Sequence, residues 1–206
     1  LGVNFRHILH LKSELRFYRY LKPGEHYVID YVFDSVVRIK EDKAAIIGYT
    51  DISRNGERCL SMRDHFAIKE VPPRYASRLK FDESQEFRGI TRLPANPLQD
   101  CGVKEIYIPK TLAQRYGSVS GDKNIVHTSA TIAKLFGYER PFIQGLCTAN
   151  LIMRELCVAG LKLEHFSITF CLPVFMDSVV YLQHNDHEYR LSDVEGKVLC
   201  FGRINQ

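Results

Sequence analysis

The sequence predicts an α+β protein whose main element is an antiparallel sheet, and three observations support this fold class. The first third of the chain shows strand patterns in succession and no obvious helix pattern. Two helix patterns follow near the middle of the chain, and the remainder returns to strand patterns. An Asn-Gly hairpin turn joins two of the early strands, so this part of the sheet is expected to be antiparallel.

The composition is that of a globular protein with a hydrophobic core. The chain has 206 residues, of which 45% are hydrophobic, and a formal net charge of +4. Its Lys and Arg residues are scattered without a long basic run, so a nucleic acid is not favoured as a partner. The mild positive balance would suit an anionic small substrate or an acidic carrier protein.

The cysteines and the apolar stretches bear on the cellular compartment. Six cysteines occur without a Cys-x-x-Cys pair or a regular His/Cys spacing, so we expect reduced thiols in a cytoplasmic protein and no metal site. No stretch approaches the roughly 20 apolar residues of a membrane-spanning helix, and no signal peptide is visible. The chain begins with Leu1 rather than Met, which suits a trimmed piece of a longer protein.

The N-terminal segment is expected to form a sheet. Residues 1–22 contain patterns that fit a strand and patterns that fit a helix, and residues 22–25 (Lys-Pro-Gly-Glu) read as a turn. The hairpin turn lies at Asn55-Gly56, because these residues tolerate the positive φ angles of tight hairpins. Three strands are predicted, over 27–40, 44–52 and 58–68.

A change of composition divides the chain. Pro72 and Pro73 end the first sheet, and the residues that follow are rich in charge, contain further prolines and show little periodicity. We therefore predict an N-terminal sheet segment (1–75), a linker (76–103) and a C-terminal domain (104–206). Within that domain we expect a short strand or loop over 105–109, a short helix over 110–116, and strands over 163–174, 178–186 and 198–204.

The most informative stretch is residues 116–127, which read Tyr-Gly-Ser-Val-Ser-Gly-Asp-Lys-Asn-Ile-Val-His. It places a carboxylic acid, an amide and an imidazole in what we interpret as one short loop. A helix capped by Thr128 or Ser129 follows and ends at Gly137. A second helix, over 146–159, has few polar residues, so we expect it to be buried on most sides. An Asp and a His beside two helix starts form an arrangement that suits catalysis.

Residues 116–127 resemble the signature of MaoC-like (R)-specific enoyl-CoA hydratases and β-hydroxyacyl dehydratases. That signature is an aromatic residue followed by Ser-Gly-Asp-x-Asn-Pro-aliphatic-His. Residues 135–146 resemble the family run that ends in His-Gly, and residues 170–175 resemble the strand entry after the long helix. The resemblance covers about 104–206. Residues 1–75 resemble, less clearly, the sheet of the first repeat in two-repeat members.

The resemblance implies a hot-dog fold, in which an antiparallel sheet wraps around one long helix, here the helix near 146–159. It also implies a double hot-dog whose first half is degenerate and lacks the motif. Two residues depart from the family pattern: Ile125 stands where Pro is usual, and Gln144 stands where His usually precedes the glycine. The loss of that His is tolerable if its role is structural, whereas activity falls if it helps to hold the substrate.

The resemblance further implies a hydro-lyase. It would reversibly hydrate 2-enoyl thioesters, or dehydrate (R)-3-hydroxyacyl thioesters, carried on coenzyme A or an acyl carrier protein. Asp122 and His127 would act as general acid and base, with the assignment of the two roles left open. The backbone N–H of Gly145 would donate to the thioester oxygen. No metal or redox cofactor is implied, and the hot-dog domains would pair within one chain or as a homodimer. The supporting residues would be Ser120, Gly121, Asn124 and Gln144.

Two alternative functions stay open at this point. One is a non-catalytic subunit that binds acyl thioesters, and the other is a hot-dog thioesterase, which would release a free thiol. Taken singly, a Gly-Asp in a loop is usually a turn or a cap and a loop His usually packs, so only the joint pattern favours a catalytic site. Arg140 fits a solvated loop better than a phosphate contact, and Cys147 has no partner base for a nucleophilic role.

Overall fold

The computed structural model describes residues 8–40, 43–69, 98 and 101–205. The helices in this part of the chain are α1 (Leu112–Ser120), α2 (Ala130–Leu135) and α3 (Gly145–Val158), with a 3-10 turn at Ile125–His127. The strands are β1 (Ile8–Phe17), β2 (Val28–Lys40), β3 (Lys43–Arg54), β4 (Glu57–Lys69), β5 (Gly102–Ile108), β6 (His165–Phe170), β7 (Ser178–His184), β8 (Glu188–Asp193) and β9 (Val198–Arg203).

The chain divides into two compact units. The first takes the described residues before Ala95 together with Glu164–Thr169 and Asn205, and the second takes the described residues of Asn96–Leu163 and Phe170–Ile204. Each unit contains antiparallel strands, and the three α-helices belong to the second unit. The candidate site residues predicted from the sequence therefore all lie in the second unit.

The first unit is an antiparallel sheet with the strand order β2-β3-β4-β1-β6. The three strands predicted for this segment are confirmed as β2, β3 and β4. The hairpin turn between the last two is confirmed as well, because Asn55 and Gly56 have φ angles of 52° and 78°. Of the ambiguous stretch 1–22, residues 8–17 form β1, and residues 1–7 lie outside the described part.

The core of the first unit contains a buried polar cluster besides its apolar side chains. Ser13 on β1 is fully buried and lies opposite Asp64 on β4. Its Oγ donates to Asp64 Oδ1 at 2.5 Å, and His10 Nε2 lies 2.8 Å from the same hydroxyl. Because a buried carboxylate is costly without hydrogen-bond donors, the cluster stabilises the placement of Asp64 in this core.

We expect Ser13→Ala to lower the free energy of unfolding by roughly 1–3 kcal/mol, because the buried Asp64 carboxylate loses a donor. Urea unfolding followed by circular dichroism measures the change. Ser35→Ala is the matched control, since the Ser35 hydroxyl contacts the exposed Asp34 carboxylate at a longer distance of 3.4 Å. Equal unfolding midpoints for the two variants would show that the cluster does not contribute to stability.

The second unit carries an antiparallel sheet with the strand order β9-β8-β7-β5. β7 and β9 confirm the strands predicted over 178–186 and 198–204, and β5 shows that residues 105–108 belong to a strand, with Pro109 directly after it. β8 has no counterpart among the predicted strands. Its buried apolar residues, Tyr189 and Leu191, alternate with polar neighbours over only six residues, a pattern too short to predict a strand.

Two predicted boundaries differ from the ends of the strands in the structure. The strand predicted over 163–174 is shorter, since β6 ends at Phe170. β5 begins at Gly102, so the last two residues of the predicted linker, 76–103, belong to a strand. Almost all of the rest of that linker lies outside the described residues, as do the two prolines before it. The division into an N-terminal segment, a linker and a C-terminal domain therefore stays a prediction.

The first two helices position the stretch 116–127. The predicted short helix is α1, which continues further than expected, so residues 116–120 are helical and not part of a loop. α2 begins after Ser129, whose Oγ accepts the Ile132 N–H, and this confirms one of the two predicted caps. Gly137, which follows the capping residue Phe136, has a φ of 82°, as predicted for the end of this helix.

α3 confirms the second predicted helix and begins at Gly145. It is buried along one face and not on most sides, since Asn150 and Arg154 are exposed. The buried face consists of Cys147, Thr148, Ala149, Ile152 and Leu156. Among the described residues, none of the helices combines the length and the apolar character needed to cross a bilayer.

Candidate active site

Asp122 lies in the loop directly after α1. Gly121 caps the C-terminus of the helix with a φ of 79°, a conformation that glycine adopts without strain. The Asp122 N–H donates to Ser120 Oγ, and the Asn124 N–H donates to Asp122 Oδ1, both at 3.2 Å. Asn124 Oδ1 in turn accepts the Val126 N–H. Three of the predicted supporting residues thus shape this loop, and the Asp122 side chain remains 45% exposed.

His127 ends the 3-10 turn and is buried. Its Nδ1 lies 2.9 Å from the Phe142 carbonyl oxygen, and because a carbonyl can only accept, Nδ1 carries the proton. The imidazole also packs edge-on against the Phe142 ring, with the centroids 4.9 Å apart. Nε2 faces the Asp122 carboxylate, with Oδ2 4.0 Å away. The structure therefore brings the predicted Asp and His together, at a distance that lets one reacting group contact both.

The pKa of His127 lies below its ordinary value. Burial is the main cause, while the hydrogen bond to the Phe142 carbonyl and the negative charge of Asp122 raise the pKa to a lesser extent. The imidazole is therefore neutral at pH 7. Because Nδ1 holds the single proton of the neutral ring, the lone pair of Nε2 is available, which is the state that a general base requires.

The N-terminus of α3 carries the remaining predicted residues. Gly145 is the first residue of the helix, so its N–H has no acceptor within the helix and lies at the positive end of the helix dipole. Gln144, directly before it, is 3% exposed. Its Nε2 donates to the carbonyl oxygens of Ala113 and Asp122, at 3.2 Å each. These contacts give Gln144 a structural place between α1, the Asp122 loop and α3.

Two further residues border the site without being among the predicted ones. Gly117 in α1 is buried, and a Cβ atom on it would lie 2.6 Å from the Asp122 carbonyl oxygen. Nothing in the sequence pattern pointed to this role, because Gly117 directly follows the helix predicted over 110–116, where a glycine fits a helix end. The Tyr116 hydroxyl accepts a hydrogen bond from Asn150 Nδ2 at 3.3 Å, which links α1 to α3. Burial is the main cause that raises the pKa of Tyr116, so its phenol stays neutral.

Arg140 and Cys147 have other surroundings. Arg140 Nη1 donates to the Met176 carbonyl oxygen at 3.0 Å, and the guanidinium lies 4.9 Å from the centroid of the Phe175 ring, so the prediction of a solvated arginine is wrong. Cys147 is buried, and burial raises its pKa to about 11, so the thiol stays protonated. Across the described residues, no group of three or more His, Cys, Asp or Glu side chains is placed to hold a metal ion.

The family assignment comes from a comparison with protein-family models. The model described as "MaoC like domain" matches residues 94–198, which is just over half of the 206 residues. The chain belongs to the MaoC-like domain family. Among curated proteins it is similar to the 3-hydroxyacyl-thioester dehydratase X of Mycobacterium tuberculosis, with 28% identity over 81 residues. That match covers 38% of this chain and 29% of the mycobacterial protein, so it spans less than a third of that relative.

Solved structures of MaoC-like proteins share the fold of this chain. A MaoC-like dehydratase from Phytophthora capsici superposes with a TM-score of 0.79 at 18% identity, covering 98% of this chain and 73% of the other. HtdX from Mycobacterium tuberculosis superposes with a TM-score of 0.71 at 17% identity, covering 100% and 79% of the two chains. The predicted α+β hot-dog fold is thereby confirmed, while the double hot-dog with a degenerate first half stays a prediction.

Proposed function

We propose that this chain is a hydro-lyase that hydrates 2-enoyl thioesters, or dehydrates (R)-3-hydroxyacyl thioesters, carried on coenzyme A or an acyl carrier protein. The observation that supports this most strongly is the arrangement of His127 between Phe142 and Asp122. One nitrogen of a neutral imidazole is held as a donor, and the other faces a carboxylate, within a MaoC-like domain. The similarity to a mycobacterial 3-hydroxyacyl-thioester dehydratase supports the same reaction class.

The proton transfers of the proposed dehydration centre on His127. Its Nε2 takes the proton from C2 of the substrate, and the thioester carbonyl oxygen takes up the negative charge. The charge then returns to form the C2–C3 double bond as the C3–O bond breaks, and the imidazolium gives its proton to the departing hydroxyl, which leaves as water. Asp122 stabilises the imidazolium while it carries the proton, since its carboxylate lies 4.0 Å from Nε2. Hydration follows the same steps in reverse.

The negative charge on the thioester oxygen requires a donor, and we assign this role to the Gly145 N–H. This N–H lies at the start of α3, has no acceptor within the helix and is supported by the helix dipole. A pre-aimed donor of this kind typically contributes about 3 kcal/mol to the stability of the charged intermediate. The same charge delocalisation makes the proton on C2 easier to remove.

Hydration of crotonyl-CoA, followed as the loss of enoyl absorbance, tests the proposed reaction. Turnover without release of a free thiol supports a hydro-lyase, whereas a signal from a thiol-reactive dye would identify a thioesterase. A comparison of (R)- and (S)-3-hydroxybutyryl-CoA in the opposite direction tests the stereochemistry. If the folded protein binds short, medium and long acyl thioesters on both carriers but converts none, the non-catalytic binding role replaces the proposed one.

We expect kcat/KM for hydration to be flat near neutral pH and to fall about tenfold per pH unit on the acid side. The reason is that His127 must be neutral to accept a proton, and burial places its pKa below the ordinary 6.5. In Asp122→Asn the residual activity should show its acid limb at a lower pH, because the carboxylate charge that raises the pKa is lost. An acid limb centred above pH 6.5 would contradict this assignment of the base.

The net charge of the chain bears on the carrier of the acyl group. Both coenzyme A and acyl carrier proteins are anionic, which suits a chain with a net charge of +4. Pairing of hot-dog domains within the chain or in a homodimer stays a prediction, and so does a cytoplasmic location.

A further inference from the structure

We propose that Gln144 and Gly117 together form a clamp on the main-chain carbonyl of Asp122, and that this clamp positions the Asp122 carboxylate toward His127. The inference rests on the proposed function, because it explains how the acid–base pair of that function is held. Gln144 acts here as a positioning residue, through Asp122, and does not itself contact the reacting atoms.

The Asp122 carboxylate is fixed mainly by the path of its own backbone. Its side chain is 45% exposed, and the surrounding residues 121–125 are exposed as well. One carboxylate oxygen accepts the Asn124 N–H within the same loop, so this bond moves with the loop. A contact from outside the loop is therefore needed to hold Asp122 against His127.

The carbonyl group of Asp122 supplies that contact. Gln144 Nε2 donates to it at 3.2 Å, and the same nitrogen donates to the carbonyl oxygen of Ala113 in α1, also at 3.2 Å. These two hydrogen bonds fix the orientation of the Gln144 amide, because an amide turned by about 180° would place Oε1 against two carbonyl oxygens. The Asp122 carbonyl also rests on Gly117, where a Cβ atom would lie 2.6 Å away. The Gln144 amide on one side and the absence of a side chain at Gly117 on the other therefore define the position of the Asp122 carbonyl.

The chemistry of the amide explains why glutamine fits this position. An amide nitrogen carries two N–H groups and can serve two carbonyls, whereas a single imidazole nitrogen carries at most one. Gln144 therefore replaces the His that is usual in the family pattern with a side chain suited to these two acceptors. Gln144 Oε1 is buried and has no hydrogen-bond partner among the described residues, which is an unfavourable state for a polar atom. The hydrogen bonds of the Gln144 side chain are therefore formed by its two N–H groups.

The clamp also relates the acid–base pair to the proposed oxyanion donor. Gln144 directly precedes Gly145, and two residues earlier the Phe142 carbonyl fixes His127. One short segment, 142–145, therefore sets the position of all three proposed functional groups. A shift of Asp122 relative to this segment should change the rate of the chemical step rather than the binding of substrate.

The test uses Gln144→Met, which keeps the length of the side chain and removes both donors. We expect kcat for crotonyl-CoA hydration to fall about 10- to 100-fold with KM changed less than about threefold. We also expect the pKa of His127, measured by NMR titration and assigned with His127→Gln, to fall below that of the unmodified chain. Asp122 raises this pKa through its charge, so the pKa reports the distance between the two groups.

A matched control separates positioning from loss of stability. Ile152→Val removes one methyl group from the buried face of the same helix, so it should lower the melting temperature without a change in kcat or in the pKa of His127. Gln144→His has at most one donor on each ring nitrogen, so its kcat and its pKa of His127 should lie between those of Gln144→Met and those of the unmodified chain. A normal kcat in Gln144→Met, or a lower kcat with an unchanged pKa of His127, would overturn the clamp. If the unmodified chain converts none of the short, medium and long acyl thioesters on either carrier, the proposed function fails, and the pKa comparison still decides whether the clamp exists.

Discussion

Asp122→Asn and His127→Ala are each expected to hydrate crotonyl-CoA on the order of 100-fold more slowly than the unmodified chain, or slower still. The reason is that general acid–base assistance is typically worth about 100- to 10,000-fold. Asn keeps an oxygen that can accept the Asn124 N–H, so the loop should remain in place while the charge is lost. His127→Ala removes both the proton acceptor and the hydrogen bond to the Phe142 carbonyl.

The two variants should not show additive losses, because the groups act on the same proton. A double variant is expected to be about as slow as the slower single one. His187→Ala serves as the control for removal of an imidazole, since His187 is exposed in the turn between β7 and β8. Melting temperatures measured alongside exclude unfolding as the cause. Full activity in either single variant would remove that residue from the catalytic assignment.

Gly117→Ala is expected to lower kcat by at least about tenfold and to destabilise the protein, although alanine is the better helix former. Helix propensity favours the substitution by about 1 kcal/mol. The new methyl group, however, would lie 2.6 Å from the Asp122 carbonyl oxygen, a main-chain atom that cannot rotate away. Overpacking of this kind costs typically 1–3 kcal/mol, so the steric effect should outweigh the propensity. Displacement of Asp122 by about 1 Å is enough to reduce the rate strongly.

Gly102→Ala is the matched control for Gly117→Ala. The three atoms nearest to its added methyl group belong to the His184 ring, the first at 3.4 Å, and this side chain can shift at little cost. Activity and the free energy of unfolding should therefore stay close to those of the unmodified chain. Equal behaviour of the two alanine variants would show that the close approach at Gly117 does not constrain the site.

Features that depend on neighbouring residues were predictable from the sequence. The turn at Asn55-Gly56 follows from the positive φ angles that these two residues tolerate. The start of α2 follows from the Ser129 side chain, which caps the helix locally. The Asp and His of the site were recognisable because they lie five positions apart in one motif, and a short segment can bring them together without help from distant parts of the chain.

Features that depend on distant residues were decided by the tertiary structure. β8 forms because it pairs with β7 and β9 on both sides, although its own pattern is weak. The sequence shows a glutamine before Gly145 but not the two carbonyl oxygens that its amide meets, since these belong to residues 22 and 31 positions away. The lowered pKa of His127 likewise arises from burial and from the Phe142 carbonyl. By itself the sequence determined the local turns, the caps and the motif, because these are interactions between neighbours. Only the tertiary structure decided how the motif is held and in which protonation state, because packing brings in the groups that do so.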